Sequence, residues 1–244
     1  MTQLLTATSV QLQASVTATP PEILQRYREN RDWDLYQKEW IYRQFPAAGK
    51  TWLDLGCGTG EITTQLAALG AKRVFAVDVD EGLIAMTQRR AELDGVSQRV
   101  SCILGDITEL DIPPVDAVLA YAVLHHVPDR LHEFSQAIAR VLKPQGVFIF
   151  CEPLCYSPAI EWFRDHSGVA RDALDPGERK LTGKDLRIIA ANFAGMDAVH
   201  FHILGRWSRV VPRLDRQFRQ VDRWLKLVPG SHLLAGSVIG VCRK

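Results

Sequence analysis

A glycine-rich turn beside an acidic residue is the part of this sequence best suited to chemistry. Residues 53–60 read L-D-L-G-C-G-T-G, so that Gly56, Gly58 and Gly60 alternate with other residues. Glycine lets a backbone turn tightly and approach a ligand without a Cβ in the way. If a helix begins directly after the turn, its unpaired N–H groups point to the same place. The turn therefore predicts a cradle for a polar cofactor.

Two carboxylates narrow the class of cofactor. Asp78 follows the turn by about twenty residues, at the end of an apolar run, where a carboxylate can accept hydrogen bonds from both hydroxyls of a ribose. A dinucleotide fingerprint has the spacing G-x-G-x-x-G and seats a pyrophosphate, whereas this turn has G-x-G-x-G and is preceded by Asp54. That carboxylate would repel a pyrophosphate, and it suits the ammonium of a methionine moiety, bound directly or through water. The pattern favours a methionine-bearing nucleoside over a nicotinamide dinucleotide.

Candidate acid–base residues follow two later apolar runs. His125 and His126 come after the predicted fourth strand, and Glu152 ends the fifth. In open α/β sheets ligands bind at the carboxyl ends of the strands, and histidine titrates near neutral pH. We therefore take these three residues as candidate catalytic groups, His126 first. The alternative, equally open here, is that the histidines only order their loop and that Glu152 anchors the following segment.

Short apolar runs alternate with segments of helical period, which is typical of a parallel sheet with crossover helices. The predicted strands are Thr51–Leu55, Val74–Val77, Val100–Leu104, Ala117–Tyr121, Val147–Phe150, Val199–Ile203 and Val238–Cys242. Helices are expected between them, with apolar stripes on Ile62, Leu66 and Leu69 and on Leu131, Phe134, Ile138 and Val141, the latter helix ending at Lys143. Thr182 and Asp185 have the spacing of a capping box and should open a further helix that carries Leu186, Ile189 and Phe193.

The chain is expected to form a single α/β domain over 1–244. Within it we expect an N-terminal arm and cap at 1–48, a cofactor-binding half at 49–152, a lid at 153–181 and a C-terminal half at 182–244. Substrate contacts are predicted in the aromatic-rich cap and on the lid, although core packing and a solvated lid explain the same residues. The residues concerned are Tyr27, Tyr36, Trp40, Arg164 and His166.

A basic amphipathic segment lies near the C-terminus. Residues 209–228 hold six basic and two acidic residues, a local net charge of +4, next to regularly spaced apolar residues. Such a helix can lie on an anionic membrane. It can equally cover the core and leave its charged face in water.

Composition excludes several classes of protein. A net charge of +1 gives no overall attraction to polyanions, so nucleic acid is not an expected partner. The five scattered cysteines lack the paired spacing of zinc sites, and no metal site is expected. An odd number of scattered thiols and the lack of a secretory leader predict a cytoplasmic protein.

Five motifs in order resemble those of class I S-adenosylmethionine-dependent methyltransferases. They are D-L-G-C-G-T-G, A-V-D-V-D, G-D-I, A-V-L-H-H-V-P-D and L-K-P-Q-G-V-F-I-F, and they lie between Trp52 and Glu152. The resemblance implies a Rossmann-like sheet of seven strands in the order 3-2-1-4-5-7-6. In that fold the last strand is antiparallel, helices cover both faces, a helical cap precedes strand one and a lid follows strand five.

The resemblance also implies a cofactor, S-adenosyl-L-methionine, with S-adenosyl-L-homocysteine as product. The glycine turn would line its methionine part, Asp78 would bind the ribose and Val79 would flank the adenine. Asp106 would accept from the adenine amine, Ile107 would pack on the ring, and Tyr121 would line the methyl site. The implied cofactor residues are Asp54, Gly56, Cys57, Gly58, Gly60, Asp78, Val79, Asp106, Ile107 and Tyr121.

The expected reaction is in-line methyl transfer to an O, N or C nucleophile of a small, apolar or amphiphilic metabolite of natural-product, quinone or lipid type. Two alternatives stay open at this point. The chain could bind the cofactor without transferring its methyl group, or it could be an NAD(P)-dependent oxidoreductase. The sequence does not predict an oligomeric state.

Overall fold

A computed structural model of the chain describes residues 37–166, 177–201, 203–204, 207, 210–225 and 227–244, apart from the side chains of Arg164, Asp165, Pro212, Asp215 and Arg219. Seven strands form one sheet in the order β3-β2-β1-β4-β5-β7-β6. The strands are β1 Thr51–Leu55, β2 Arg73–Asp78, β3 Val100–Leu104, β4 Val115–Tyr121, β5 Leu142–Pro153, β6 Gly195–Phe201 and β7 Ser237–Arg243. The first three strands pair in parallel, and β7 is antiparallel to both β5 and β6. The predicted strand order and the antiparallel last strand are confirmed.

The described helices alternate with these strands. They are α1 at 37–44, α2 Glu61–Ala68, α3 Glu81–Leu93, α4 Leu131–Val141, α5 Pro158–His166, α6 Gly183–Ala190 and α7 Asp215–Leu225. Short 3-10 turns occur at Leu124–His126 and Pro212–Leu214, among others. No helix in the described ranges is long and apolar enough to cross a membrane.

The chain divides into two compact units, 1–117 and 118–244. In the first, α2 buries Ile62 and Leu66 against a core that includes the fully buried Trp52. Leu69 was predicted on the same stripe, but the helix ends at Ala68 and Leu69 is 48% exposed. Helix α1 is held to α2 by polar contacts, because Lys38 Nζ donates to Glu61 at 2.9 Å and Tyr42 donates to Gln65 at 2.7 Å.

In the second unit, α4 buries the predicted stripe from Leu131 to Val141. The helix stops at Val141 because β5 begins at Leu142, so Lys143 belongs to the strand rather than to the last helical turn as predicted. Strand β5 is longer than predicted, since residues 147–153 pair with β7. At the centre of that pairing Gly240 faces Phe150, and a Cβ on Gly240 would lie 2.0 Å from the Phe150 ring.

The segment predicted as a lid contains a helix that the sequence did not predict. Helix α5 starts at Pro158, a residue suited to a first helical position. The C-terminal end of the predicted lid segment is bound next to its start, because Leu154 and Leu181 form a parallel bridge directly before α6. The predicted capping box of Thr182 and Asp185 is confirmed, although α6 ends at Ala190, before Phe193.

Candidate active site

In the first unit the glycine turn is shaped by three left-handed glycines. Gly56, Gly58 and Gly60 have φ values of 67°, 54° and 78°. The N–H groups of Gly56 and Cys57 donate to the carbonyl of Val77 at 2.8 and 3.0 Å, which fixes the turn at the end of β2. Gly58 and Gly60 differ in the space around them: a Cβ on Gly60 would lie 2.8 Å from the Thr87 backbone, whereas nothing lies within 4 Å of one on Gly58. Gly58 therefore faces open space, as a cradle requires.

Cys57 completes this turn as a neutral thiol. Its side chain is buried, and its sulfur lies 3.5 Å from the Thr87 hydroxyl. Burial, and after it the charge of Asp54, raises the pKa of the Cys57 thiol well above its usual range. The residue can line a ligand site, but it is no nucleophile at neutral pH.

Asp78 lies beside the turn with its carboxylate oriented by the backbone. One oxygen accepts from the N–H of Gly58 at 2.9 Å, and the other accepts from the N–H of Asp80 at 3.1 Å. A carboxylate offers about four lone-pair positions, so two backbone bonds leave acceptor capacity for two hydroxyl groups. Asp78 therefore keeps acceptor positions for two hydroxyl groups, and its ribose-binding role stays a prediction.

Asp54 is only 1% exposed, and it accepts a hydrogen bond of 2.6 Å from the Thr63 hydroxyl on α2. Burial raises the pKa of Asp54 to about 7, although the hydrogen bond from Thr63 partly offsets this increase. The nearby charge of Asp78 raises the pKa further, while Lys38 lowers it. A cationic group would stabilise the ionised form, so Asp54 is suited to a cation reached through water rather than by direct contact.

The predicted adenine-binding residues differ in what they present. Val79 is 71% exposed, and Leu104, which the sequence analysis missed, is 49% exposed at the end of β3. Asp106 closes its own turn by accepting from the N–H and the hydroxyl of Thr108 at 2.9 and 2.8 Å. Ile107 is only 1% exposed, so its side chain packs in the core and does not lie where a ring could stack on it. The expectation for Ile107 is corrected accordingly.

In the second unit a short loop follows β4 and carries the candidate histidines. Tyr121 ends the strand half-buried, and Ala122 next to it has a φ of 58°, a conformation that residues with a Cβ rarely adopt. The Ala122 N–H donates to the Cys151 carbonyl at 2.8 Å, which pins this point to β5. Strained positions held by their surroundings are frequent at functional sites.

Glu152 holds this loop from below. One of its oxygens accepts from the N–H groups of Val123 and Leu124, both at 2.7 Å, and the other lies 2.8 Å from Nδ1 of His125. A carboxylate only accepts, so His125 donates through Nδ1. Glu152 is 1% and His125 8% exposed. These contacts favour the loop-ordering interpretation for His125, and they join Glu152 to the histidine loop.

His126 has a different partner, Glu178, which the sequence analysis did not identify. Nδ1 of His126 lies 2.5 Å from Oε1 of Glu178, and the side chains are 44% and 10% exposed. Nδ1 donates to this carboxylate, which leaves Nε2 as the proton-accepting nitrogen of the neutral ring. A histidine oriented by a carboxylate is the arrangement that general-base catalysis uses, and Glu178 is half-buried here.

The residues after Glu178 fix its position. Arg179 forms two hydrogen bonds to Asp185, at 2.6 and 2.9 Å, and its N–H donates to the His125 carbonyl at 3.3 Å. Burial alone would raise the pKa of Asp185, but hydrogen bonds from Arg179 and Thr182 outweigh it and hold that pKa below its usual range. The histidine loop and the start of α6 are thereby joined.

His125, His126 and Glu178 together form a set of groups that could bind a metal ion. Ligand atoms of His125, His126 and Glu178 lie within 4.8 Å of one another. No metal site was predicted, because the cysteines lack the paired spacing of zinc ligands, whereas this set consists of two histidines and a glutamate. Two imidazoles and one carboxylate suit several divalent transition metals, so this geometry competes with a general-base role for His126.

The predicted substrate residues are only partly described. Tyr27 and Tyr36 lie outside the described residues, as does the side chain of Arg164. Trp40 is half-buried and packs edge-to-face on Phe45, with ring centroids 6.3 Å apart. His166 stacks on Trp162 and donates to its carbonyl at 2.7 Å. His166 is therefore engaged with its own helix.

Sequence comparison places a methyltransferase domain family over residues 53–150. The 27-O-demethylrifamycin SV methyltransferase of Amycolatopsis mediterranei (strain S699) is 39% identical over 101 residues, which are 41% of this chain and 37% of that protein. A ribosomal protein L11 methyltransferase of Alkaliphilus metalliredigens (strain QYMF) is 24% identical over 164 residues, 67% of this chain and 42% of the relative. The chain thus spans well under half the length of either relative.

Solved structures share the fold. The cyclase SpnF superposes with a TM-score of 0.59 at 22% sequence identity, over 86% of this chain and 80% of the cyclase. At that identity the likeness concerns the fold alone. Taken with the domain match and the ordered motifs, the comparisons confirm that residues 53–150 carry a methyltransferase domain of the class I S-adenosylmethionine-dependent family.

Proposed function

We propose that the chain is an S-adenosylmethionine-dependent methyltransferase that acts on a small, apolar or amphiphilic metabolite. The observation that carries the proposal is the Asp78 carboxylate, oriented beside the glycine turn by the Gly58 N–H at 2.9 Å. An open cradle and a buried acid that favours a nearby cation fit the methionine part of this cofactor, and Asp78 fits its ribose. A dinucleotide fits less well, because Asp54 would oppose a pyrophosphate.

Each part of the cofactor is assigned to residues of this chain. Gly56, Gly58 and Gly60 would hold the methionine part, whose ammonium would be stabilised by Asp54 through water. Asp78 would bind the ribose, and the exposed side chains of Val79 and Leu104 would flank the adenine. The remaining assignments are Asp106 to the adenine amine, the main chain of Ile107 to the adenine edge, Cys57 to the cradle wall and Tyr121 to the methyl site.

Bound S-adenosylmethionine supplies a methyl group that its sulfonium already activates. The chain's own residues then have to position the acceptor and, for a hydroxyl acceptor, remove its proton. We assign that proton to Nε2 of His126, since Glu178 holds the opposite nitrogen at 2.5 Å. Glu152 and His125 keep the loop in place. Correct placement of reactants supplies much of the acceleration in such displacements, up to about 7–11 kcal/mol in favourable cases.

The acceptor class rests on one relative and on the cap. The relative from Amycolatopsis is named for an O-methylation of a rifamycin, and aromatic residues such as Trp40 suit a flat or apolar acceptor. The relative from Alkaliphilus is named for a protein substrate, ribosomal protein L11. A protein acceptor is therefore the first competitor to a small molecule.

A second candidate function is cofactor binding without methyl transfer. The fold alone does not separate the two functions, because SpnF shares the fold and is named as a cyclase and not as a methyltransferase. The two functions differ in one product: only methyl transfer releases S-adenosylhomocysteine in step with the acceptor.

The test measures S-adenosylhomocysteine release with a panel of phenols, isoprenoid alcohols and polyketide-type hydroxy compounds, and with purified ribosomal protein L11. Release with a small acceptor, abolished in Asp78→Ala and retained in Asp111→Ala, supports the proposal. Asp111 is an exposed aspartate of the same unit and serves as the matched control. Release only with L11 would replace the small acceptor by a protein. Cofactor binding with no release from the panel would favour the binding function.

A further inference from the structure

The C-terminal third of the chain exposes apolar side chains to an unusual extent. Fifteen large apolar side chains are exposed among the described residues, and nine of them lie between 210 and 234. Scattered exposed apolar residues are normal, but a contiguous group marks an interaction surface. The most exposed are Trp224 at 72%, Leu227 at 74% and Val228 at 52%. We call the exposed side chains at 210–225 and 227–234 the C-terminal surface.

Helix α7 is oriented with an acid facing inward. Asp222 is only 9% exposed, and its carboxylate accepts a hydrogen bond of 2.7 Å from the N–H of Leu204. Val221 and Trp224 share another face, three positions apart, and are 41% and 72% exposed. Phe218 and Leu225 of the same helix are half-buried, so its apolar residues cover the core only in part, and Val221 and Trp224 stay exposed.

Basic side chains border the exposed apolar residues. Arg213, Arg216 and Arg223 are all exposed, and Arg216 and Arg223 lie seven positions apart on one line of the helix. The acid of this helix whose side chain is described, Asp222, is turned inward. The surface therefore presents tryptophan and leucine together with arginine.

A second segment of the same unit extends the apolar area. On α5, Trp162 is 63% and Phe163 54% exposed. The Phe163 ring lies 6.2 Å from the ring of Trp207, which lies just before the C-terminal surface in the chain. Exposed aromatic residues therefore continue from one segment to the other.

From these observations we propose that the C-terminal surface binds the headgroup region of an anionic lipid bilayer. Exposed tryptophan and leucine bury in the boundary between headgroups and acyl chains, and arginine pairs with anionic lipid phosphates. A second copy of the chain fits less well, because a two-fold contact would bring identical arginines against each other. The proposal concerns where the chain resides and holds whether or not the methyl-transfer proposal does.

The test uses flotation of the full-length chain with vesicles of phosphatidylcholine alone or with about one third phosphatidylglycerol. We expect binding to the anionic vesicles and at least about tenfold weaker binding to neutral ones, since each basic residue near the surface contributes about fivefold. The double variant Trp224→Glu, Leu227→Glu should lose binding. The double variant Arg216→Glu, Arg223→Glu should bind anionic vesicles at least about 25-fold more weakly than the wild type. All four side chains are exposed, so the thermal midpoint should not change.

A matched control tests whether any exposed apolar residue would give the same result. Leu69 is 48% exposed in the first unit, and Leu69→Glu should bind vesicles like the wild type. Wild-type chain that stays unbound to anionic vesicles overturns the proposal. A second result also overturns it: light scattering gives the mass of a dimer for the wild type and of a monomer for Trp224→Glu, Leu227→Glu, and the wild type does not bind vesicles. That result would assign the surface to a second copy of the chain.

Discussion

The glycine turn and the histidine loop are built in opposite ways. The turn lies within one β-α-β unit: Gly58 and Asp78 are 20 residues apart, and the N–H of Gly58 donates to the Asp78 carboxylate at 2.9 Å. The loop depends on carboxylates that the chain supplies later, Glu152 for His125 and Glu178 for His126. The turn, the two histidines and Glu152 could be named from the sequence, whereas Glu178, the partner of His126, is revealed only by the folded chain. Three predictions test this contrast, from the largest expected effect to the smallest.

The largest effect should separate the two histidines. His126→Asn removes the proposed base and should lower kcat by about 10²–10⁴-fold, with the free energy of unfolding changed by less than about 0.5 kcal/mol, since the side chain is 44% exposed. His125→Asn should instead cost about 1–3 kcal/mol of unfolding free energy, because it disturbs the buried Glu152. Methyl-transfer rates and urea unfolding measure the two quantities. Equal rates for both variants would contradict separate roles.

Removal of metal ions by a chelator separates a base role of His126 from a metal-ligand role. If Nε2 of His126 is the base, dialysis against EDTA should leave kcat unchanged. Loss of activity that returns with a divalent ion would contradict the base role and would make His125, His126 and Glu178 metal ligands.

The second prediction compares two glycines of the turn. Gly60→Ala adds a Cβ that would lie 2.8 Å from the Thr87 backbone at a φ of 78°, and it should cost about 3 kcal/mol of unfolding free energy. Gly58→Ala has the same kind of backbone strain with nothing within 4 Å, and it should cost about 1 kcal/mol. Thermal and urea unfolding of both variants measure the difference. Equal costs would show that close packing on α3 does not shape the turn.

The third prediction concerns pH. Burial raises the pKa of Asp54 to about 7, so much of this acid is protonated below neutral pH. A bound ammonium favours the carboxylate, so affinity for S-adenosylhomocysteine should rise about tenfold from pH 5.5 to 7, while the ligand's own amine stays protonated. Asp54→Asn should flatten this dependence. A wild-type affinity that is constant or falls over this range would contradict the role given to Asp54.

The fold could be predicted from the sequence because its signals are periodic and local. All seven strands appear, most of them as short apolar runs, and the capping box of Thr182 and Asp185 is set by a spacing of three. Strand β6 spans Gly195–Phe201 rather than the predicted Val199–Ile203, because its first half, with Gly195 and Asp197, has no apolar run that could mark it. Helix α5 was missed because its proline and charged residues suggested a loop. The orientation of α7 was not predictable, because the hydrogen bond from the Leu204 N–H to the Asp222 carboxylate decides which face turns inward.

The part of the candidate site that lies in a sequence motif could be predicted from the sequence. Asp78 and the glycines lie as expected beside each other, and they come from one β-α-β unit. Glu178 was missed because it follows the histidines by about fifty residues in a polar segment with no periodic pattern. Ile107 was expected on a ligand ring, but it is part of the core, and a motif does not tell which side of the chain a residue faces.

Calorimetric titration of the wild-type chain and of Asp78→Ala with S-adenosylmethionine, S-adenosylhomocysteine and NADH tests the central claim most directly. The account predicts binding of both sulfur nucleosides, a loss of about tenfold to a hundredfold in Asp78→Ala, and no binding of NADH. Binding of NADH, or equal affinity of the wild type and Asp78→Ala for S-adenosylmethionine, would contradict it.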